Sequence, residues 1–213
     1  MSPSSIQNII FDWSGTIVDD LPPVLEATNA VMREFGAKEL TQEDFRRGFR
    51  LPYSDWYEEV LPGVSMEDLG RVFLAAFTAT KHVVGLQPHV RKYLECCAAA
   101  GRRMFVLSST FESAVLQQAE TLGVRAYFEH IYAGVPDKSA RIGKILQERA
   151  LLPGQTILIG DMRHDVHTAQ AGGIGSVAVL TGYEYGEVIA TAGPDLMVKD
   201  LSELRALHFP ESP

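Results

Sequence analysis

Early in the sequence the chain reads Ile9-Ile10-Phe11-Asp12-Trp13-Ser14-Gly15-Thr16. The apolar run that ends at Phe11 predicts a buried strand, and Asp12 follows at its carboxyl end. Gly15 and Thr16 then turn the chain sharply. Because open α/β sheets bind ligands outside the carboxyl ends of their strands, we consider Asp12 a candidate nucleophile or metal ligand.

Strand and helix patterns alternate along the second half of the chain. Short apolar runs predict strands at 104–107, 128–132, 156–159 and 176–180, with a short sixth strand at 196–198. Helical patterns separate these runs. The alternation predicts an α/β fold with a Rossmann-like parallel sheet, right-handed crossovers and helices on both faces.

Between the first strand and this region the pattern is helical. Pro22 and Pro23 stand where a helix can begin, and no convincing strand is visible from about residue 41 to 80. We therefore expect residues 19–84 to form an inserted helical cap that acts as a lid. Residues 1–18 and 85–213 would then form the α/β hydrolase core.

Composition limits the function classes. The 213 residues carry a formal net charge of -8, which argues against a nucleic-acid backbone or an anionic membrane as partner. Adjacent cysteines, Cys96 and Cys97, suit a reducing compartment better than a structural disulfide. We see no secretory signal and no apolar run of roughly 20 residues, so we expect a cytoplasmic protein. The oligomeric state is left open.

Residues with charged or hydroxyl side chains follow several of the predicted strands. Asp12, Ser108 and Asp161 stand at strand ends, and Lys138 comes just after the third strand. Asp165 lies four residues beyond Asp161 and can face the same pocket. Clustered carboxylates repel one another unless a hard cation such as Mg²⁺ binds them. A lysine and a hydroxyl suit phosphoryl oxygens, and Asp12 would then form an aspartyl-phosphate.

The order of these residues resembles that of the haloacid dehalogenase superfamily. Its four motifs match Asp12-x-x-Gly15-Thr16, Ser108, Lys138 and Gly160-Asp161-x-x-x-Asp165. The resemblance covers nearly the whole chain, and residues 160–183 are most similar to the phosphoglycolate phosphatase-like branch.

The resemblance implies roles for individual residues. Asp12 would be the nucleophile of a hydrolase that acts on a small phosphorylated metabolite. Mg²⁺ would be held by Asp12, Asp161 and the carbonyl of Ser14, with Asp165 supporting the metal site. The residues implied in binding the phosphoryl group are Ser108, Ser109, Lys138 and Gly15.

One position departs from the pattern of the family's phosphatases. They carry a second Asp two residues after the nucleophile as general acid and base, and here that position is Ser14. A serine hydroxyl is too weak an acid for this role at neutral pH. His164, next to Asp165, is an alternative proton donor.

Two other functions remain open. The run Asp12-Trp13-Ser14-Gly15-Thr16 is similar to the Asp-Trp-Ala-Gly-Thr of the phosphonoacetaldehyde hydrolases, which cleave a carbon–phosphorus bond through a cap lysine. The lysines available in this cap region are Lys38 and Lys81, neither where that family would put it. The second alternative is a non-catalytic protein that binds phosphate and has a regulatory role.

Overall fold

The computed structural model describes residues 5–210, which fold into two compact units. One unit contains the residues up to Asp19 and those from Gly85 onward, and it is α/β. The other unit, Asp20–Val84, is helical.

The strands of the described residues belong to one large sheet and one short ribbon. In chain order they are β1 (Asn8–Phe11), β2 (Val18–Asp19), β3 (Gly85–Leu86), β4 (Arg103–Leu107), β5 (His130–Tyr132), β6 (Thr156–Gly160), β7 (Gly175–Val179) and β8 (Leu196–Val198). The large sheet has the order β5-β4-β1-β6-β7-β8, and all of its pairings are parallel. The α/β class predicted from the sequence is therefore confirmed.

Ten α-helices connect or follow these strands within residues 5–210. They are α1 (Leu21–Glu34), α2 (Gln42–Gly48), α3 (Tyr53–Val60), α4 (Met66–Ala79), α5 (Val90–Ala99), α6 (Glu112–Thr121), α7 (Lys138–Glu148), α8 (Arg163–Gly172), α9 (Gly186–Ala190) and α10 (Leu201–His208). The sequence patterns did not predict α9, α10 or the antiparallel β2–β3 ribbon, because all four elements are short.

Neighbouring residues of a strand point in opposite directions, so the buried strands present apolar side chains on both faces of the sheet. Helices cover both of these faces. On one face, Ile10 packs in a buried cluster with Ile142 of α7 and Ala169 of α8. On the other face, the ring of Phe11 meets that of Tyr93 in α5 edge-on, with centroids 6.1 Å apart. Helices α7 and α8 also pack against each other. A Cβ on Gly172 of α8 would lie 2.8 Å from Cγ1 of Ile142.

The helical unit has an aromatic core of its own. Phe45 and Trp56 are buried, and Phe49 stacks on Phe45 with ring centroids 4.6 Å apart. Phe73 and Phe77 of α4 stack on each other but are only half-buried. Within this unit α1 packs against α4.

A buried histidine in α10 forms hydrogen bonds that hold this helix in place. His208 is 9% exposed, and its Nδ1 accepts hydrogen bonds from Tyr93 Oη at 2.8 Å and from Arg102 Nη1 at 2.9 Å. Because a guanidinium can only donate, Nδ1 must be unprotonated. Burial, together with the charge of Arg102, lowers the pKa of His208 to about 4.

We expect this histidine to make folding stability pH-dependent. A pKa of about 4 when folded, against 6.5 ordinarily, means that the unfolded chain binds a proton first as the pH falls. The contribution is complete above pH 6.5 and is lost towards pH 4, amounting to about 3 kcal/mol. Urea unfolding of wild type and His208→Gln should show the stability difference shrinking over this range. Parallel pH profiles would contradict the prediction.

Candidate active site

Three strands bring polar side chains to one edge of the sheet. Asp12 follows β1, Ser108 follows β4 and Asp161 follows β6. Strand β1 pairs with both of the others, and Phe11 is in register with Val106 and Ile159. The strand order reverses beside β1, because the chain continues to β4 and β5 on one side and then to β6 on the other. Open α/β sheets bind ligands at such a reversal.

A cluster of buried carboxylates lies at this edge. Asp12, Asp161 and Asp165 each place a carboxylate oxygen within 4.8 Å of the others. Asp12 is 6% exposed, Asp165 is 2% exposed and Asp161 is fully buried. The sequence predicted these three residues as neighbours, and the structure brings them together.

Two glycines make room for the carboxylates. A Cβ on Gly15 would lie 2.4 Å from Oδ2 of Asp161, and one on Gly160 would lie 2.3 Å from Cβ of Asp165. Gly15 also has a φ of +77°, a conformation that other residues rarely adopt. Its N–H donates to the carbonyl of Val18 within the turn. The two glycines therefore permit close approach to the acids.

Lys138 is the cation of the cluster. It is 1% exposed, and its Nζ donates to Oδ1 of Asp12 at 2.5 Å and to Oδ1 of Asp165 at 2.8 Å. Lys138 is the first residue of α7, whose N-cap residue Asp137 accepts the backbone N–H of Ala140. The start of this helix thereby fixes where the ammonium group lies.

Burial and mutual repulsion shape the ionisation of the cluster. Burial raises the pKa of Asp12 to about 6, against the lowering effect of Lys138. Burial and the charges of Asp12 and Asp165 raise the pKa of Asp161 well above its usual range. Burial alone would lower the pKa of Lys138, but its two carboxylate partners reverse this and raise it. The lysine therefore stays charged, while burial favours the protonated forms of Asp12 and Asp161.

The donor set fits a divalent cation. With all three acids ionised and Lys138 charged, the cluster holds two excess negative charges, which are costly in a buried site. A cation with oxygen ligands would neutralise both charges at once. The side chains that could hold it are Asp12, Asp161 and Asp165.

The loop after β7 contacts Asp161, and the sequence patterns did not predict this contact. The backbone N–H of Tyr183 donates to Oδ2 of Asp161 at 2.7 Å, and Thr16 Oγ1 donates to Oδ1 at 2.8 Å. A Cβ on Gly182 would lie 2.0 Å from Oδ2 of Asp161. Thr181 Oγ1 donates to the carbonyl of Gly15 at 2.7 Å. The only sequence signal for this contact was a glycine shortly after a buried strand.

The segment after β4 contacts the first motif through hydroxyl groups. Ser14 Oγ lies 3.1 Å from Thr110 Oγ1, and Ser108 Oγ accepts the backbone N–H of Thr110 at 3.1 Å. Ser109 Oγ is buried and has no hydrogen-bond partner within residues 5–210. Trp13 is fully buried, as its apolar ring suggests, and its Nε1 donates to Gln118 Oε1 at 2.7 Å.

His164 does not have the properties of a replacement acid. Its side chain is half-buried, and Nε2 has no hydrogen-bond partner in the described part of the chain. Burial lowers the pKa of this imidazole, and the charge of Asp165 only partly opposes that effect. The lowered pKa favours the neutral ring, which carries no second ring proton to donate.

A family model for haloacid dehalogenase-like hydrolases matches residues 9–179, which is most of the chain. The chain belongs to this family. The resemblance seen in the four sequence motifs is thereby confirmed, and the protein is a haloacid dehalogenase-like hydrolase. Within residues 5–210 every helix is too short or too polar to span a lipid bilayer.

Curated relatives of this hydrolase include two bacterial phosphoglycolate phosphatases. The enzyme from Pseudomonas fluorescens strain Pf0-1 is 26% identical, over 92% of this chain and 77% of the relative. The enzyme from Synechococcus elongatus is 27% identical, over 93% of this chain and 95% of the relative.

Solved structures of similar fold include a haloacid dehalogenase-like hydrolase from Streptococcus pneumoniae. It superimposes with a TM-score of 0.80 at 23% identity, over 95% of this chain and 98% of the other. CbbY from Rhodobacter sphaeroides, solved in complex with phosphate, gives a TM-score of 0.75 at 20% identity, over 93% and 96%. At this identity the likeness concerns the fold alone.

Proposed function

We propose that this hydrolase is a Mg²⁺-dependent phosphatase of small phosphorylated metabolites that works through an aspartyl-phosphate on Asp12. The observation that carries the proposal is the position of Asp12, a buried carboxylate bonded to Lys138 and grouped with Asp161 and Asp165. Relatives named phosphoglycolate phosphatase make phosphoglycolate the first substrate to test.

The reaction would proceed in two transfers. A carboxylate oxygen of Asp12 attacks phosphorus, and its new bond forms as the bond to the alcohol oxygen breaks. The leaving group departs as an alkoxide with the bonding electron pair and takes up a proton from solvent. Water then attacks phosphorus as the bond between phosphorus and the Asp12 oxygen breaks, which releases inorganic phosphate, restores the carboxylate of Asp12 and returns a proton to solvent.

The protein groups around Asp12 would position the phosphoryl group and reduce the repulsion between its negative charge and the carboxylate of Asp12. Lys138 supplies positive charge beside the attacking oxygen, and Ser108 and Ser109 supply hydroxyl donors. Ser108 Oγ already accepts the N–H of Thr110, which leaves its own proton to be donated. We assign Gly15 to spacing, since its N–H is engaged within the turn.

In this proposal Mg²⁺ would be held by the side chains of Asp12 and Asp161 and by the carbonyl of Ser14. When bound, the ion would offset the negative charge of the phosphoryl oxygens and of the acids. Asp165 is bonded to Lys138 and would orient that ammonium group while supporting the metal site. The helical unit Asp20–Val84 is the cap in this proposal.

A phosphonate hydrolase is the second candidate, favoured by the run Asp12-Trp13-Ser14-Gly15-Thr16. Imine formation needs a lysine whose pKa is lowered by burial or by neighbouring charge. Lys38 and Lys81, the lysines of the helical unit, are both exposed to solvent. Their environment does not favour this chemistry, and we rank the phosphatase first.

A substrate panel tests the proposal. We expect wild-type protein to hydrolyse an aryl phosphate with Mg²⁺ and to lose that activity with a chelator. Phosphoglycolate and other alkyl phosphates should be hydrolysed more slowly, because their leaving groups need a proton that Ser14 cannot supply.

Each alternative predicts a different result in the same panel. Phosphate release from phosphonoacetaldehyde, lost after borohydride treatment, would favour carbon–phosphorus cleavage. Binding of Mg²⁺ and phosphate without turnover of any substrate would favour a regulatory binding protein. Activity that is unchanged by chelation would contradict the metal dependence.

A further inference from the structure

Asp161 and Glu184 make reciprocal contacts between the start of α8 and the loop after β7. The carboxylate of Asp161 accepts the backbone N–H of Tyr183 at 2.7 Å. In the opposite direction, the carboxylate of Glu184 accepts the backbone N–H of Arg163 at 2.7 Å. Each segment thus supplies one acid and one backbone donor to the other segment.

The Glu184 carboxylate is buried and neutralised by its own partner. It is 2% exposed, and the guanidinium of Arg163 donates to Oε1 from Nε at 3.1 Å and from Nη2 at 3.0 Å. Such charge-assisted forks are about twice as strong as neutral hydrogen bonds. Glu184 can therefore hold the loop without adding net negative charge beside Asp161.

Glu184 also satisfies a backbone donor at the start of a helix. Arg163 is the first residue of α8, and its N–H has no acceptor within that helix. A carboxylate at a helix N-terminus is further stabilised by the helix dipole. The contact consequently fixes the first turn of α8, which also carries Asp165.

We propose that Glu184 is a positioning residue for the metal site. By holding the loop against the start of α8, it keeps the Tyr183 N–H on Oδ2 of Asp161 and so fixes the orientation of that carboxylate. This inference rests on the proposed function, because it requires Asp161 to be a metal ligand. Partners that orient metal ligands in this way typically change metal affinity about 10- to 100-fold when they are lost.

The test measures Mn²⁺ binding to metal-free protein by electron paramagnetic resonance, without substrate. We expect Glu184→Ala to weaken binding about 10- to 100-fold. Glu184→Gln keeps an acceptor of the same size but loses the charge, so it should recover most of the affinity and remain about threefold weaker. If the alanine variant fails to fold, the glutamine variant decides the question.

A matched control comes from another arginine–glutamate fork. Arg103 Nε and Nη2 each donate to a carboxylate oxygen of Glu129 at 2.7 Å, at the opposite end of the sheet, where β4 begins. This pair is more exposed than the Arg163–Glu184 pair. We expect Glu129→Ala to bind Mn²⁺ within about twofold of wild type, as removal of a surface ion pair should.

Amide hydrogen exchange shows whether the effect passes through the loop. In metal-free Glu184→Ala, exchange in residues 181–185 should be faster than in wild type, while Glu129→Ala should leave it unchanged. Wild-type Mn²⁺ affinity in the folded Glu184 variants would overturn the inference. If wild type itself bound no divalent cation, the metal site of the proposed function would fail instead.

Discussion

Replacing Asp12 with Asn should abolish phosphatase activity while leaving the protein folded. Asn has nearly the same shape, and its amide oxygen can still accept the hydrogen bond from Lys138 that Oδ1 of Asp12 accepts at 2.5 Å. An amide is not a nucleophile towards phosphorus, so no covalent intermediate can form. We expect aryl-phosphate turnover to fall on the order of 10⁴-fold or more, as when other enzymes lose a covalent nucleophile.

Asp165→Asn is the matched control for this substitution. Asp165 is also buried and also bonded to Lys138, at 2.8 Å, so its replacement removes the same charge from the same lysine. It does not remove the attacking oxygen, and its loss of activity should be at least about tenfold smaller. Steady-state kinetics with an aryl phosphate measure the loss of turnover in both variants. Acid-quenched reactions with radiolabelled substrate should leave label on wild-type protein and none on Asp12→Asn. Equal losses in the two variants would contradict the nucleophile assignment.

Ser14→Asp should create a general acid and increase alkyl-phosphate hydrolysis. Ser14 Oγ lies 3.1 Å from Thr110 Oγ1, so a carboxyl group at this position has a hydroxyl partner to orient it. Repulsion from the neighbouring carboxylates would raise its pKa and favour the protonated form. General acid–base groups contribute roughly 10²–10⁴-fold, and we expect kcat/KM for alkyl phosphates to rise about 10²-fold.

Ser14→Asn separates proton donation from side-chain shape. It has the size of Asp but no acidic proton, so it should give no gain with alkyl phosphates. Aryl phosphates have good leaving groups, and their turnover should change little in either variant. An unchanged or lower alkyl-phosphate rate in a folded, Mg²⁺-binding Ser14→Asp protein would show that the missing acid is not what limits this site.

Much of the site was predictable because parallel strands bring their carboxyl ends to one edge. Asp12, Ser108 and Asp161 each follow an apolar run of the right length, so their convergence needed only the strand assignments. Lys138 was predictable from its place after β5. The glycine spacing also has a physical basis, because Gly160 is required for the approach of Asp165.

The loop after β7 was not predictable in the same way. Tyr183 contacts Asp161 through a backbone N–H, and a backbone donor leaves no trace in residue type. Glu184 is buried and paired with the half-buried Arg163, yet in the sequence both have the character of ordinary surface residues. Contacts of this kind depend on how two loops meet in space, whereas periodicity reports only which face of an element is apolar.

The packing of α7 against α8 has a consequence for how catalysis responds to distant mutations. Lys138 is the first residue of α7, and Asp165 lies in the first turn of α8. The 2.8 Å hydrogen bond from Lys138 Nζ to Asp165 Oδ1 therefore depends on how the two helices pack against each other. Gly172 and Ile142 meet farther along the same interface. A bulkier residue in place of Gly172 would push α7 and α8 apart. This displacement would change the position of the Lys138 ammonium group. Selection for activity would therefore constrain core positions that never approach the substrate.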